Sequence, residues 1–150
     1  MTTRLALTPL RLTAAIALAA ASLTACSTPA ETTGTSAAAP ASLEGQAVDA
    51  GAFAALVEQD GVVVLDVRTP EEFASGHLDG ALNVDVSSPQ FIDRLAELDT
   101  DAAYAVYCRS GNRSAQAVSL MQEAGFEQVA HLDGGIGAWS ADGGEVVTGP

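Results

Sequence analysis

The chain contains no lysine, and all six basic residues among its 150 are arginines, set against 19 acidic residues. Such an excess of negative charge excludes nucleic acid and anionic lipid headgroups as natural partners. Cysteine is nearly as scarce, with only Cys26 and Cys108, and the two histidines, His77 and His131, are isolated. No set of Cys and His stands at metal-ligand spacing, so neither a metal nor any other cofactor is expected. Internal repeats are absent, which points to one module and not a tandem array. There is also no apolar run long enough to cross a bilayer of about 30 Å.

The longest apolar run, Leu12 to Leu23, follows a short basic segment carrying Arg4 and Arg11. That arrangement reads as the n-region and h-region of an export signal. Because the two arginines are separated, general secretion is expected over the twin-arginine route. The run ends in Leu23-Thr24-Ala25-Cys26, which resembles a bacterial lipobox. Residues 1–25 are then a lipoprotein signal peptide, with cleavage before Cys26 and a diacylglycerol on its thiol. An ordinary secretory signal with a chance cysteine, or an uncleaved anchor, are the alternatives. Residues 26–42 are the lipidated cysteine and a Ser/Thr/Ala/Pro tether with too little to bury to offset its ordering entropy. The expected location is the outer face of the bacterial cytoplasmic membrane or elsewhere in the cell envelope. Without residues 1–25, four arginines face 19 acids, a net charge of −15.

The folded domain is expected over residues 43–150. Asp49 can cap a helix that shares Phe53, Leu56 and Val57 on one face and stops at Gly61. Val62 to Leu65 is a β-branched run of the kind found in strands buried on both faces. Glu71 to Ala74 reads as a helical turn behind Pro70, and Ala81 to Val86 as a strand. Pro89 precedes a helix with an apolar stripe of Phe91, Ile92, Leu95 and Leu98. A strand from Ala102 to Tyr107, a helix from Ala115 to Ala124 closed by Gly125, a strand from Gln128 to Leu132 and a turn from Gly134 to Ser140 follow. Strands alternate with helices, which implies an α/β domain with a parallel sheet flanked by helices on both faces.

The chain is organised around Cys108-Arg109-Ser110-Gly111-Asn112-Arg113-Ser114. The cysteine falls between a strand end and a helix start, where unpartnered backbone N–H groups and the helix dipole favour an anion. Arg109 and Arg113 add two cations. An ordinary thiol, with a pKa of about 8.5, is roughly 3% ionised at neutral pH. Each unit of depression needs only about 1.4 kcal/mol, within reach of one or two charge-assisted hydrogen bonds. A structural cysteine in an apolar core is the plainer reading, but Arg, Ser, Asn and Gly neighbours do not suit one.

That stretch resembles the active-site loop of the rhodanese (thiosulfate sulfurtransferase) family. Three further segments resemble family signatures in the same order: Leu65 to Phe73, Gly76 to Val84 (with Asp79 where the family usually has Pro), and Leu132 to Trp139. The resemblance spans about residues 45–142. It implies a single rhodanese module in which the Cys108 thiolate attacks a sulfur donor such as thiosulfate and carries the sulfur as a persulfide. An acceptor, cyanide or a thiol, then removes it. Arg109, Ser110, Gly111, Asn112, Arg113 and Ser114 form the substrate-binding loop. Within it the two arginines are candidates for a sulfonate, Arg113 can brace the loop, and Ser110 and Ser114 can hydrogen-bond the sulfur or cap the helix, capping being the preferred role for Ser114.

Asp66 and Arg68 lie near a neighbouring strand end and are supporting residues, read first as structural, with Arg68 in an ion pair with Glu72, and second as contacts to the substrate. Both histidines are read as structural, His131 alternatively as facing solvent. From Cys108 to Arg113 the loop is Cys-x4-Arg, whereas the rhodanese-like cell-cycle phosphatases use the longer Cys-x5-Arg. The shorter ring suits one terminal sulfur better than a phosphate. A non-enzymatic sulfur carrier or partner-binding module remains the alternative, and a thiol sensor would lack a resolving cysteine. The protein is expected to be a monomer.

Overall fold

The computed structural model describes residues 43–149. The segments expected to be a signal peptide and a tether, residues 1–42 with Cys26, lie outside the described residues. Ten elements follow one another: β1 (Glu44–Val48), α1 (Ala50–Val57), β2 (Val62–Asp66), α2 (Pro70–Ser75), β3 (Leu82–Asn83), α3 (Phe91–Leu95), β4 (Ala103–Tyr107), α4 (Asn112–Glu123), β5 (Val129–Leu132) and α5 (Gly135–Ala141). The strands form one parallel sheet in the order β1-β5-β4-β2-β3. The α/β class and the parallel sheet expected from the strand and helix alternation are what the chain adopts.

The sheet has a hydrophobic cluster on each face, and β4 shows how one strand feeds both. Side chains alternate across a strand. Tyr104, Val106 and Cys108 therefore join Phe91, Leu95, Ala117, Val118 and Met121 on one face. Ala105 and Tyr107 join Phe53, Leu56 and Trp139 on the other. Because β4 is the middle strand, residue 108 emerges at the centre of the sheet's carboxyl edge, where ligands bind in open α/β folds.

Local signals explain most element boundaries. Asp49 caps α1 by accepting from Ala52 N at 2.8 Å, as its position predicts. Thr69 and Glu72 form a reciprocal capping box on α2.

Three expectations need correction. The strand foreseen from Ala81 to Val86 is only Leu82–Asn83. Its neighbour β2 ends at Asp66, and beyond it the chain is held by Val84 N and Val86 N on the Asp66 and Val67 carbonyls and by the Asn83 side-chain amide on the carbonyls of Asp66 and Arg68 at 3.1 and 2.9 Å. Ile92 is not in the core stripe of α3, being 55% exposed. A five-residue helix makes less than two turns, and Phe91 and Leu95 alone face inward. Finally, α4 begins at Asn112, three residues before the expected Ala115. Asn112, Arg113 and Ser114 are thus held on a helix, and the loop proper is only Cys108 to Gly111.

Candidate active site

The β4 strand delivers Cys108 to the sheet edge, and the chain turns at Gly111, whose φ of 94° is a conformation that side chains with a Cβ rarely adopt. This turn sends the backbone N–H of Gly111 back to the Cys108 sulfur at 3.1 Å. The Ser114 hydroxyl lies one helical turn further on and donates to the Gly111 carbonyl at 2.9 Å. Ser114 is therefore not the helix cap. Gly111 occupies the N-cap position, and Ser114 sits fully buried in the first turn, facing the loop.

Cys108 is 1% exposed, so the thiol is buried and anion-stabilised together. Burial pushes its pKa up, but the Ser114 hydroxyl and the N–H groups of Ser110, Ser114 and Gly111 outweigh that and hold it below the usual thiol value. The backbone donors expected at the helix start are joined in this stabilisation by one hydroxyl, that of Ser114. Arg109 and Ser110 are exposed at the rim with Asn112, whereas Gly111 and Ser114 are buried beneath them.

Arg113 is committed to a partner that its place in the chain does not reveal. Its two terminal nitrogens donate to the Glu72 carboxylate oxygens at 2.7 and 2.8 Å. Glu72 also closes the α2 capping box, accepting from Thr69 N at 3.3 Å. A single carboxylate thus starts one helix and clamps the first turn of another. The Thr-x-x-Glu spacing makes the cap legible in the sequence, but the 41-residue reach to Arg113 is a product of the fold.

Arg113 hydrogen bonding holds the Glu72 carboxyl at about 2 against the opposing effect of burial, with the Thr69 N–H assisting. A depressed folded-state pKa gives stability that is full above the ordinary value of 4.5 and is lost as pH falls toward 2. The pair is partly open to solvent, which screens it to about 1 kcal/mol. Glu72→Gln is accordingly expected to lose about that much stability at pH 7 in urea unfolding. The deficit relative to the unmodified chain should shrink between pH 4.5 and 2.5, where Glu72 itself begins to protonate. A constant deficit across that window would show that the ion pair contributes nothing.

Asp66 and Arg68 pair with each other, and Arg68 does not take Glu72. The Arg68 Nε donates to both Asp66 oxygens at 2.9 and 3.0 Å, and its Nη2 donates to the Gly76 carbonyl at 2.7 Å. Burial works against the Arg68 charge, but the Asp66 carboxylate more than compensates and raises its pKa. With Asp66 fully buried and Arg68 5% exposed, the pair is internal bracing of the β2–α2 connection. The Arg68 guanidinium lies 5.5 Å from the centre of the Tyr107 ring, so this bracing meets the strand that carries Cys108.

His77 is structural: its ring stacks on Phe73 at 3.7 Å, and its Nδ1 lies 3.0 Å from the Phe73 carbonyl. His131 is 8% exposed, which removes the solvent-facing alternative, and its Nδ1 is 3.3 Å from Ser114 Oγ.

The other support missed in the sequence is Gly135. Ile136 N donates to the Cys108 carbonyl at 2.8 Å, so the start of α5 lies directly against the loop. A Cβ on Gly135 would overlap the Cys108 carbonyl oxygen and come within 2.6 Å of Arg109 C and Ser110 N. Paired glycines were a visible signal there, though not what they approach.

A profile of the rhodanese-like domain matches residues 49–142. The thiosulfate sulfurtransferase GlpE of Pseudomonas putida is 38% identical over 86 residues, covering 57% of this chain and 76% of its own. The probable adenylyltransferase/sulfurtransferase MoeZ of Mycobacterium tuberculosis is 39% identical over 79 residues, covering 53% of this chain but only 20% of MoeZ. Among solved structures, a rhodanese-related protein from Thermoplasma volcanium aligns with a TM-score of 0.61 at 32% identity, covering 68% of this chain and 97% of that one. With its parallel sheet, its cysteine at the central strand end and these relatives, the chain belongs to the rhodanese-like domain family.

Proposed function

We propose that this chain is a sulfurtransferase that moves sulfane sulfur from thiosulfate or a related donor to a thiophilic acceptor through a persulfide on Cys108. The observation that carries the reading is the Cys108 sulfur at the central strand end, set against the Gly111 N–H at 3.1 Å. In the first half-reaction the thiolate attacks the outer sulfur of thiosulfate and the S–S bond to the sulfonate sulfur breaks. Sulfite leaves with the bonding pair, and the terminal persulfide sulfur keeps one negative charge. In the second, cyanide or a thiolate attacks that sulfur and returns the Cys108 thiolate. This is covalent catalysis in ping-pong form.

The loop donors would stabilise charge on the terminal sulfur as preorganised dipoles do. With Arg113 held by Glu72, Arg109, exposed at the rim and in no ion pair among the described residues, is the loop cation placed to meet an incoming sulfonate. The short Cys-x4-Arg ring favours one terminal atom over a phosphoryl group with its three equatorial oxygens. Mass spectrometry of the protein after thiosulfate should find an adduct of about 32 Da, one sulfur, on Cys108. Aryl phosphate should not be hydrolysed. A persulfide that forms but never turns over with any acceptor would favour a sulfur carrier, and Cys108-dependent phosphatase activity would overturn the size argument.

We also propose that the domain is exported and tethered by a lipid on Cys26, a reading supported by the short apolar run ending in Leu-Thr-Ala-Cys. Two acyl chains anchor stably at about 0.8 kcal/mol per buried methylene, whereas one binds only marginally. Cys26→Ser should move the protein from the membrane to the soluble fraction or leave it unprocessed. Continued cleavage, lipid labelling and membrane retention of that variant would exclude Cys26 as the anchor.

A further inference from the structure

The buried imidazole of His131 has no part in the sulfur chemistry described above, yet it lies against Ser114, whose hydroxyl bonds to the turn that holds the Cys108 sulfur. Strand β5 places His131 beside β4, in register with Val106, two residues before Cys108. The strand on its other side, β1, presents Ala47 in register. Its Nδ1 meets Ser114 Oγ at 3.3 Å, and the same oxygen lies 2.9 Å from the Gly111 carbonyl. A hydroxyl has a single proton and two lone pairs. That proton can go to the Gly111 carbonyl, to the Cys108 sulfur or to a bare Nδ1, but to only one at a time. A bare Nδ1 would compete with the sulfur for it. An Nδ1 that carries its own hydrogen would instead donate to the oxygen, leaving the hydroxyl proton to the other two acceptors.

We propose that His131 is a positioning residue whose Nδ1–H donates to Ser114 Oγ and so directs the Ser114 hydroxyl proton toward the Cys108 sulfur anion. When Cys108 is a thiol, the Ser114 hydroxyl donates to the Gly111 carbonyl, 2.9 Å away. When the sulfur is ionised or carries a persulfide, a small rotation about the Ser114 side-chain bond turns the proton to the anion. Burial keeps the imidazole neutral by lowering its pKa, against the opposing pull of Asp133 at the end of the same strand and a backbone hydrogen bond at Leu132. A neutral ring holds its hydrogen on one nitrogen only, so the choice of tautomer decides which way the Ser114 proton can point.

The inference rests on the persulfide reading for its consequence in turnover, but it is tested on the thiol alone. The thiolate absorbance of the full chain is titrated with pH, using Cys108→Ser as the blank so that Cys26 cancels. His131→Leu is expected to raise the Cys108 midpoint by about one pH unit, roughly 1.4 kcal/mol. His131→Asn, whose amide nitrogen can stand where Nδ1 stood, should recover most of that shift. An unchanged midpoint in a folded His131→Leu chain would overturn the proposal, as would a shift in His131→Asn as large as that in His131→Leu. Should the leucine variant not fold, 15N resonances of the unmodified protein decide: a protonated Nδ1 supports the assignment, and a bare one overturns it. None of these readings depends on thiosulfate, so they remain decisive even if the protein transfers no sulfur.

Discussion

Serine in place of Cys108 is expected to lower thiocyanate formation from thiosulfate and cyanide by about three orders of magnitude or more, because Cys108 is the only thiol among the described residues that can carry the sulfur covalently. The fold should survive. The substituted oxygen is smaller than sulfur but can still accept from the Gly111 N–H that now meets the sulfur at 3.1 Å. Its loss of stability should be about 1 kcal/mol or less. A serine hydroxyl has no accessible anion near neutral pH, whereas the Cys108 thiol has its pKa lowered by Ser114 and the loop N–H groups despite burial. The same substitution should abolish the sulfur adduct in mass spectrometry while the circular dichroism spectrum stays that of the parent. Residual turnover near the parental rate would mean that the sulfur moves by another route, and the assignment of Cys108 as nucleophile would fall.

Gly135→Ala is expected to be the most damaging change that leaves every polar group of the site in place. Two costs combine at this position. Its φ of 60° lies in the left-handed region, which costs an alanine about 1–2 kcal/mol. The added methyl also meets backbone, with Arg109 C and Ser110 N both 2.6 Å away, so no side-chain rotation can relieve the contact. Relief requires α5 and the Cys108–Gly111 loop to separate, adding about 1–3 kcal/mol. Displacing the loop donors by even 1 Å should lower kcat/KM by about 100-fold.

Gly143→Ala supplies the control. Its φ of 88° carries a similar strain, but nothing lies within 4 Å of the Cβ it would gain. That variant should lose only about 1–2 kcal/mol in thermal or urea unfolding, with activity intact. Equal loss of activity in the two would mean that backbone strain alone is responsible and that the contact between α5 and the loop is dispensable.

Much of this architecture is local and so could be read along the chain. The alternation of β-branched runs with capped helical segments determined a parallel α/β sheet, since a capping oxygen at Asp49 or a capping box at Thr69–Glu72 needs only neighbours three residues away. The position of Cys108 between a strand and a helix is equally local, and it determined that an anion-stabilising turn would form. The tertiary structure alone decided what surrounds that turn. Glu72 takes Arg113 across 41 residues and withdraws a cation that the local sequence offers to the substrate. Asp66 satisfies Arg68 internally, where the local sequence pointed to Glu72. His131 reaches Ser114 only because β5 is laid beside β4, and Gly135 matters only because α5 begins against the Cys108 carbonyl. Hydrogen-bonded caps act over one turn of chain, whereas the choice among several possible charge partners depends on which strands become neighbours in the sheet. That order, β1-β5-β4-β2-β3, is set by the packing of two hydrophobic faces and by no single residue.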